Sequence, residues 1–262
     1  PYGTIFTYSP TFELIAKRNF KPEFPVDYLM ALDADNYIFT YPFIWTDQEV
    51  SFVDLKEQHA INTNYEGTIS GNTMAHACFY HIGEHFYFVP IGLNYYFYQI
   101  DTKEKKLVPI IYLDFGGSEV ITENLLGCAT GKRVSSDKER DEITRETMKR
   151  DQYLKKSNNI IPLLKFFNDD YVYTYLAQTE KGFGSHFIYN RKKKVSFLLK
   201  EGKPFLMYPC FSMNDNVLLS ICEPDVVHEV VDRKFMSSEE IHKMEALKED
   251  DNPVILKYYL KK

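Results

Sequence analysis

One unit of four short β-type runs, punctuated at the same places, recurs along this chain, and no other feature constrains its fold as tightly. A clear copy is "MAHACFYHI", "HFYFVPI", "YYFYQID" and "KLVPIIYLDF". A second is "DYLMALD", "NYIFTYPF", "VSFVDL" and "HAINTN", and a third is "IIPLLKFF", "DYVYTYLA", "SHFIYNR" and "KVSFLLK". A last group reads "LMYPCFSM", "NVLLSIC", "DVVHEVV" and, after a helical interval, "PVILKYYL"; "TIFTY" and "FELIAKR" open the chain as a pair. Asp33-Ala34-Asp35-Asn36, Gly83-Glu84, Asn168-Asp169-Asp170 and Asn214-Asp215-Asn216 each join the first and second runs of a group. These residue types tolerate positive φ or bond their own backbone in tight turns. The charged tips "DTKEKK" and "NRKKK" join third and fourth runs. Self-similarity at a fixed period is the mark of a repeat array.

The second run of each unit is apolar on both faces: "FYFV" and "YVYTYLA" hardly alternate. A strand wet on one face alternates, so these strands are expected in sheets covered on both sides. Blades of a β-propeller, four antiparallel strands each, are stacked in that way. The 20 Tyr and 20 Phe, against one Trp, suit a wedge between blades. Phe86, Phe88, Tyr96, Tyr98, Tyr173 and Tyr175 are expected to be mostly buried there.

Two segments break the pattern. The charged stretch 135–156 has a Ser136–Glu139 capping-box spacing and a thin stripe of Ile143, Met148, Tyr153 and Leu154. It reads as an exposed helical insertion. The stretch 237–248 has a Ser237–Glu240 box and a stripe of Ile241, Met244 and Leu247, which predicts a short helix packed on the sheets. No other helix is expected. The expectation is therefore one all-β domain over 1–262, a β-propeller of four-stranded antiparallel blades with short helical insertions.

The chain resembles the six-bladed β-propeller lipoproteins of Bacteroidetes-type gut bacteria. The resemblance rests on "DYLMALDADNYIFTYPF", which is similar to that family's blade opening. It rests also on "HFYFVPIGLNYYFYQIDTKEKKLVPIIYLDFG", similar to its strand-hairpin-strand unit, and on "EDDNPVILKYYLKK", similar to its ending. The family's Gly-Pro-Gly-Glu-Tyr-like stretch is absent. About four and a half blades are present, so a six-bladed parent implies roughly one and a half blades, about 70 residues, before Pro1. The start "PYGTIFTYSP", without Met and directly in a strand, agrees with a missing N-terminal part. The last strand is expected to close the array, completing the last group beside "LMYPCFSM", "NVLLSIC" and "DVVHEVV", or pairing with an N-terminal strand. The resemblance implies a cell-envelope location, periplasmic or on the outer surface, with a lipid anchor only through that missing part. It implies no activity.

The chemistry candidates are few. Cys78, Cys128, Cys210 and Cys222 lack CxxC spacing and read as free, buried small hydrophobes. His76, His81 and His85 in "HACFYHIGEHF" are candidate metal ligands, but no Cys/Asp pattern completes a zinc site, and exposed hairpin histidines are the simpler reading. No cofactor is implied. The Asp-Phe-Gly at 114–116 has none of the companion motifs of a kinase and reads as a strand end before a glycine turn. "EDDNP" and "NDD" cluster oxygens without EF-hand spacing and read as turns rather than calcium loops. "GKR" (131–133) and "NRKKK" (190–194) are solvated basic tips, with an anionic glycan or lipid head group as the functional alternative. A net charge of −6 argues against a nucleic-acid partner. There is no GxSxG, HExxH or Walker motif. The leading reading is a non-enzymatic binding or interaction propeller whose partner is a glycan, a peptide or another envelope protein. The rivals are a carbohydrate-active hydrolase or lyase with acidic residues at the channel, and a structural subunit of a surface complex.

Overall fold

The computed structural model describes residues 3–20, 26–41, 49–57, 59–64, 78–90, 94–119, 136–178, 183–200, 207 and 209–260. These fall into two compact units. The first holds β1 (Gly3–Tyr8), β2 (Leu14–Phe20), β3 (Leu29–Ala31), β4 (Asn36–Thr40), β5 (Glu49–Asp54), β6 (His59–Asn64), β7 (Phe79–Ile82), β8 (His85–Phe88), β9 (Tyr96–Asp101), β10 (Lys106–Tyr112) and most of α1 (Asp137–Lys156). The second holds β11 (Ile160–Phe167), β12 (Tyr171–Gln178), β13 (Phe183–Asn190), β14 (Val195–Lys200), β15 (Ser212–Asn214), β16 (Val217–Cys222), α2 (Pro224–Val230), α3 (Ser238–Glu245) and β17 (Val254–Tyr259).

The strands pair as the repeats predict. β3–β6, β7–β10 and β11–β14 are each a four-stranded sheet in sequence order, and every pairing is antiparallel. β1 and β2 form a two-stranded sheet, and β15, β16 and β17 a three-stranded one.

In the first unit the β3–β6 sheet is covered on both faces. Successive side chains of a strand point to opposite faces. Tyr37, Phe39 and Val53 pack with Phe20, Leu55 and Ile5 toward the β1–β2 pair. The intervening Ile38, with Val50 and Phe52, packs on Cys78, Phe88, Tyr98 and Ile100 of the next sheet. The aromatic rings lie in contact, Phe20 on Phe39 at 5.5 Å and Phe79 on Phe88 at 5.2 Å. In the second unit Tyr171, Val172, Tyr173 and Thr174 of β12 are buried in succession, so that strand too is covered on both faces. Of the six aromatics expected inside, Phe88, Tyr98 and Tyr173 are fully buried and Phe86, Tyr96 and Tyr175 half-buried.

The turns show why the punctuation repeats. Asp54, Asp101 and Asn190 end the third strand of each four-stranded sheet. Asp54 accepts the N–H groups of Lys56 and Glu57, Asp101 those of Lys103 and Glu104, and Asn190 that of Lys193. Lys105 and Lys194 then take the left-handed conformation, φ 50° and 55°, that returns the chain to the fourth strand.

The last group departs from expectation. "DVVHEVV" is the helix α2 and not a strand. Its valines favour a strand, but Pro224 sits at the first helical turn, where no N–H is needed, and Asp225 complements the helix N-terminus. Val227 and Val230 then fall on one face and pack with Cys222 and Met244. Spacing of three outweighs β-branching, because burial rather than intrinsic propensity decides such short segments. β17 therefore occupies the third position of its sheet and pairs with β16 from Cys222↔Val254 to Val217↔Tyr259. The helices α1 and α3 lie where the capping spacings put them. Ser237 and Glu240 close a full capping box, and Met244 is buried. On α1, Met148 and Tyr153 are exposed and Leu154 is buried.

Candidate functional site

At three hairpin tips an acidic side chain, Asp33, Asp54 or Asp101, is committed to the backbone. Asp33 accepts from the N–H groups of Asp35 and Asn36, both at 2.8 Å, and from the Asn36 amide. Asn168 does the same for Asp170 and Tyr171. These donors hold the carboxyls of Asp33, Asp54 and Asp101 below the ordinary range, against some desolvation. In "EDDNP" Asp251 accepts from the Lys248 N–H at 2.8 Å. In "NDD" Asp170 pairs with Lys192. The Asp-Phe-Gly stretch is a turn, with Gly116 and Gly117 at φ 66° and 86° and the Glu119 carboxylate accepting from the Phe115 N–H. Among the described residues no three His, Cys, Asp or Glu side chains gather as metal ligands would.

His81 and His85 flank the Gly83 turn of the β7–β8 hairpin and are exposed. His81 stacks on Phe86 at 4.6 Å, and His85 meets Gln99 at 3.3 Å through Nδ1. His76 lies outside the described residues, as do Cys128 and "GKR".

Two polar clusters that the sequence did not mark as sites occur, one in each unit. In the first unit, the chain before β3 runs beside the end of β4: the Asp27 N–H donates to the Thr40 carbonyl at 2.9 Å and the Thr40 N–H to the Tyr28 carbonyl at 2.9 Å. Thr40 also meets the Cys78 thiol, which is 1% exposed. Desolvation raises the Asp27 carboxyl, and burial raises the Tyr28 and Tyr80 phenols and the Cys78 thiol. The exposed Asp27 carboxyl, the Tyr28 phenol and the buried Cys78 thiol thus lie along one end of the sheet, each shifted toward its protonated form. At the opposite end of β4, a cleft of about 150 Å³ between the β3–β6 and β7–β10 sheets is lined by Asp33, Asn36, Phe52, Phe86, Thr102 and Lys105. That is smaller than the hundreds of Å³ of typical ligand pockets.

In the second unit, Tyr173 and His186 of neighbouring strands are buried, with the Tyr173 oxygen 3.0 Å from His186 Nδ1. The same oxygen accepts from the Cys210 N–H at 3.2 Å, and the Ser220 hydroxyl donates to the Cys210 sulfur at 3.4 Å. Lys165 of β11, 6% exposed, has its ammonium pushed down to about 7 by burial. The signal for these residues was a single polar letter inside a doubly apolar strand, as in "LLKFF" and "SHFIYN". Cys78, Cys210 and Cys222 are free and buried, as expected.

No family model and no curated protein matches this sequence. The structure is similar to a crystal structure of a Bacteroides fragilis protein described as a "putative exported protein". The TM-score is 0.69 at 14% identity, over 99% of this chain and 72% of that one. At that identity the likeness is one of fold. No helix among the described residues is long and apolar enough to cross a membrane.

Proposed function

We propose that this chain is a non-catalytic binding or interaction module of the bacterial cell envelope, built as a propeller of four-stranded blades. The observation that carries the reading is where its acidic groups go. Asp33, Asp54 and Asp101 bond the backbone of their hairpin tips, Asp170 pairs with Lys192, and desolvation raises Asp27. A glycosidase needs a facing pair of carboxyls. The sheet-upon-sheet packing of β1–β6 and β7–β10 supports blades, and the likeness to a Bacteroides fragilis protein described as exported supports the envelope. The partner is a glycan, a peptide or another envelope protein. The carbohydrate-active reading keeps one observation in its favour, the raised carboxyl of Asp27 close to the Tyr28 phenol. A glycan array combined with pull-down from an envelope fraction tests the proposal. Saturable binding without bond cleavage is the expected result. Release of reducing sugar from a bound glycan, lost in Asp27→Asn, would overturn it.

A further inference from the structure

The edges of the sheets differ in how they are guarded. An open edge offers unpaired N–H and C=O groups to any extended chain, and proteins blunt it with Pro, bulges, charges or shortness. β10 carries Pro109 and a register shift beside it. β11 carries Pro162 with a similar shift, and Lys165. β1 and β2 share a bulge at Thr7/Tyr8, and β2 carries Lys17 and Arg18. β6 ends in Asn62, Thr63 and Asn64, β17 has Lys257 at its centre, and β3, β7 and β15 are three or four residues long.

Among the described edge strands longer than four residues, β14 combines an unbroken register with a mostly apolar run free of Pro and charge, Val195–Leu199, its one charge being Lys200 at the end. It pairs with β13 in unbroken register from Asn190↔Val195 to Ser185↔Lys200. Its outer side borders no described strand. Every residue of it is exposed, including Val195 at 44%, Phe197 at 52%, Leu198 at 52% and Leu199 at 43%. No charge interrupts the run from Val195 to Leu199, yet the strand is bracketed by cations, with Lys193 and Lys194 exposed before it and Lys200 at its end.

We infer that β14 is a docking edge that captures an extended peptide segment of a partner protein, with an apolar core and acidic flanks, as an added strand. Backbone hydrogen bonds supply affinity in such additions, and alternate side chains supply selectivity. The lysines at both ends choose an acidic-flanked segment. They also disfavour a second copy of this chain, since antiparallel β14–β14 pairing brings each Lys193–Lys194 turn against the other copy's Lys200, and like charges across strands repel. A bilayer is a poorer occupant, because the apolar side chains project from both faces of the strand and lipid leaves its N–H groups unpaired.

This inference rests on the binding-module reading, and its test separates the two. The probe is a fluorescein-labelled Asp-Glu-Val-Thr-Ile-Val-Thr-Glu-Asp peptide, against the same core flanked by lysines, in fluorescence anisotropy with the whole chain. The acidic peptide is expected to bind at least about tenfold more tightly than the basic one, with affinity falling as salt rises. Leu198→Lys and Lys200→Glu, both at exposed positions, are expected to lower its affinity about tenfold while circular dichroism stays unchanged. Equal binding of the two peptides, or binding indifferent to both substitutions, overturns the inference. So does co-sedimentation with phosphatidylglycerol vesicles in the absence of peptide binding, or a dimer that Leu198→Lys dissociates. If the chain captures an envelope partner that Leu198→Lys leaves bound, the β14 site fails and the binding-module reading stands.

Discussion

The backbone N–H of Cys210 donates to the phenolic oxygen of Tyr173 at 3.2 Å, joining the chain just before β15 to the second strand of the preceding sheet. Cys78, just before β7, meets Thr40 at the end of the second strand of its own preceding sheet. In both units a buried cysteine at the approach to a sheet's first strand seats against the second strand of the sheet before it. A small, weakly polar side chain suits that crowded position. The bond it makes through Tyr173 also satisfies a buried backbone donor.

Tyr173→Phe should therefore destabilise the protein although the ring remains. The Cys210 N–H loses its acceptor, and His186 Nδ1 loses the partner it has at 3.0 Å. A buried donor left unpaired costs about 1–3 kcal/mol. Tyr173→Ala adds a cavity and should cost about 3–5 kcal/mol. Urea denaturation of both variants measures the difference. A Phe variant as stable as the parent would show that the hydroxyl contributes nothing.

The buried thiols should be inert in the folded protein. Burial pushes Cys210 and Cys222 up to about 11 and Cys78 higher still. Only the thiolate reacts, so at pH 8 alkylation should be slow for these three in buffer and rapid in urea. Peptide mapping by mass spectrometry after an iodoacetamide pulse separates them from Cys128. Fast native labelling of Cys210 would contradict its position under Ser220 and Tyr173.

The pairing pattern was readable because β-structure writes its burial with a period of two, and the loss of that period in "YVYTYLA" announces a strand covered on both faces. The hairpin tips were readable because Asp, Asn and Gly act on their own neighbours. α2 was not, because Val226, Val227, Val230 and Val231 satisfy a strand and a helix equally. The choice was made by Met244 and Leu256, which come later in the chain and supply the surface that α2 packs on. The surroundings of Asp27 were invisible for a similar reason. The strand end at Thr40 and Cys78, about fifty residues further along the chain, meet Asp27 only in the fold, and no local motif records that meeting.

Lys165 should give the stability a pH slope of unusual sign. Its folded pKa is lowered to about 7 from an ordinary value of 10.5. Between those values the unfolded chain holds a proton that the folded chain lacks, so stability rises with pH across that window. The penalty of burying the group is fully present below pH 7 and gone above about 10.5. Lys165→Met, which keeps an apolar stem, should flatten the slope and raise the melting temperature most at pH 6. An unchanged slope in chemical denaturation from pH 6 to 10 would assign it to another group.

The final prediction concerns β17. Val254, Leu256 and Tyr258 turn inward while Ile255, Lys257 and Tyr259 face out, so the strand contributes one apolar face and one ladder of backbone bonds. Val254 and Leu256 complete the cluster that holds α2 and α3 through Val227, Val230 and Met244. Beyond the strand, the Leu260 N–H donates to the Asn216 carbonyl at 2.7 Å and the Asn216 amide returns a bond to the Leu260 carbonyl at 2.9 Å, which locks the register at the β15–β16 turn. Removing Pro253–Lys262 would leave β16 as an open edge whose Leu218, Ser220 and Cys222 are now at most 1% exposed, and two helices without a floor. The deletion should therefore unfold the β15–β17 sheet and its helices rather than fray a tail, with hydrogen exchange accelerated from β15 through α3. Ile255→Ala, on the outward face, should change stability by no more than about 0.5 kcal/mol. If the truncated chain keeps its melting temperature and its exchange protection at β16, β17 is an appended surface strand and the sheet is complete without it.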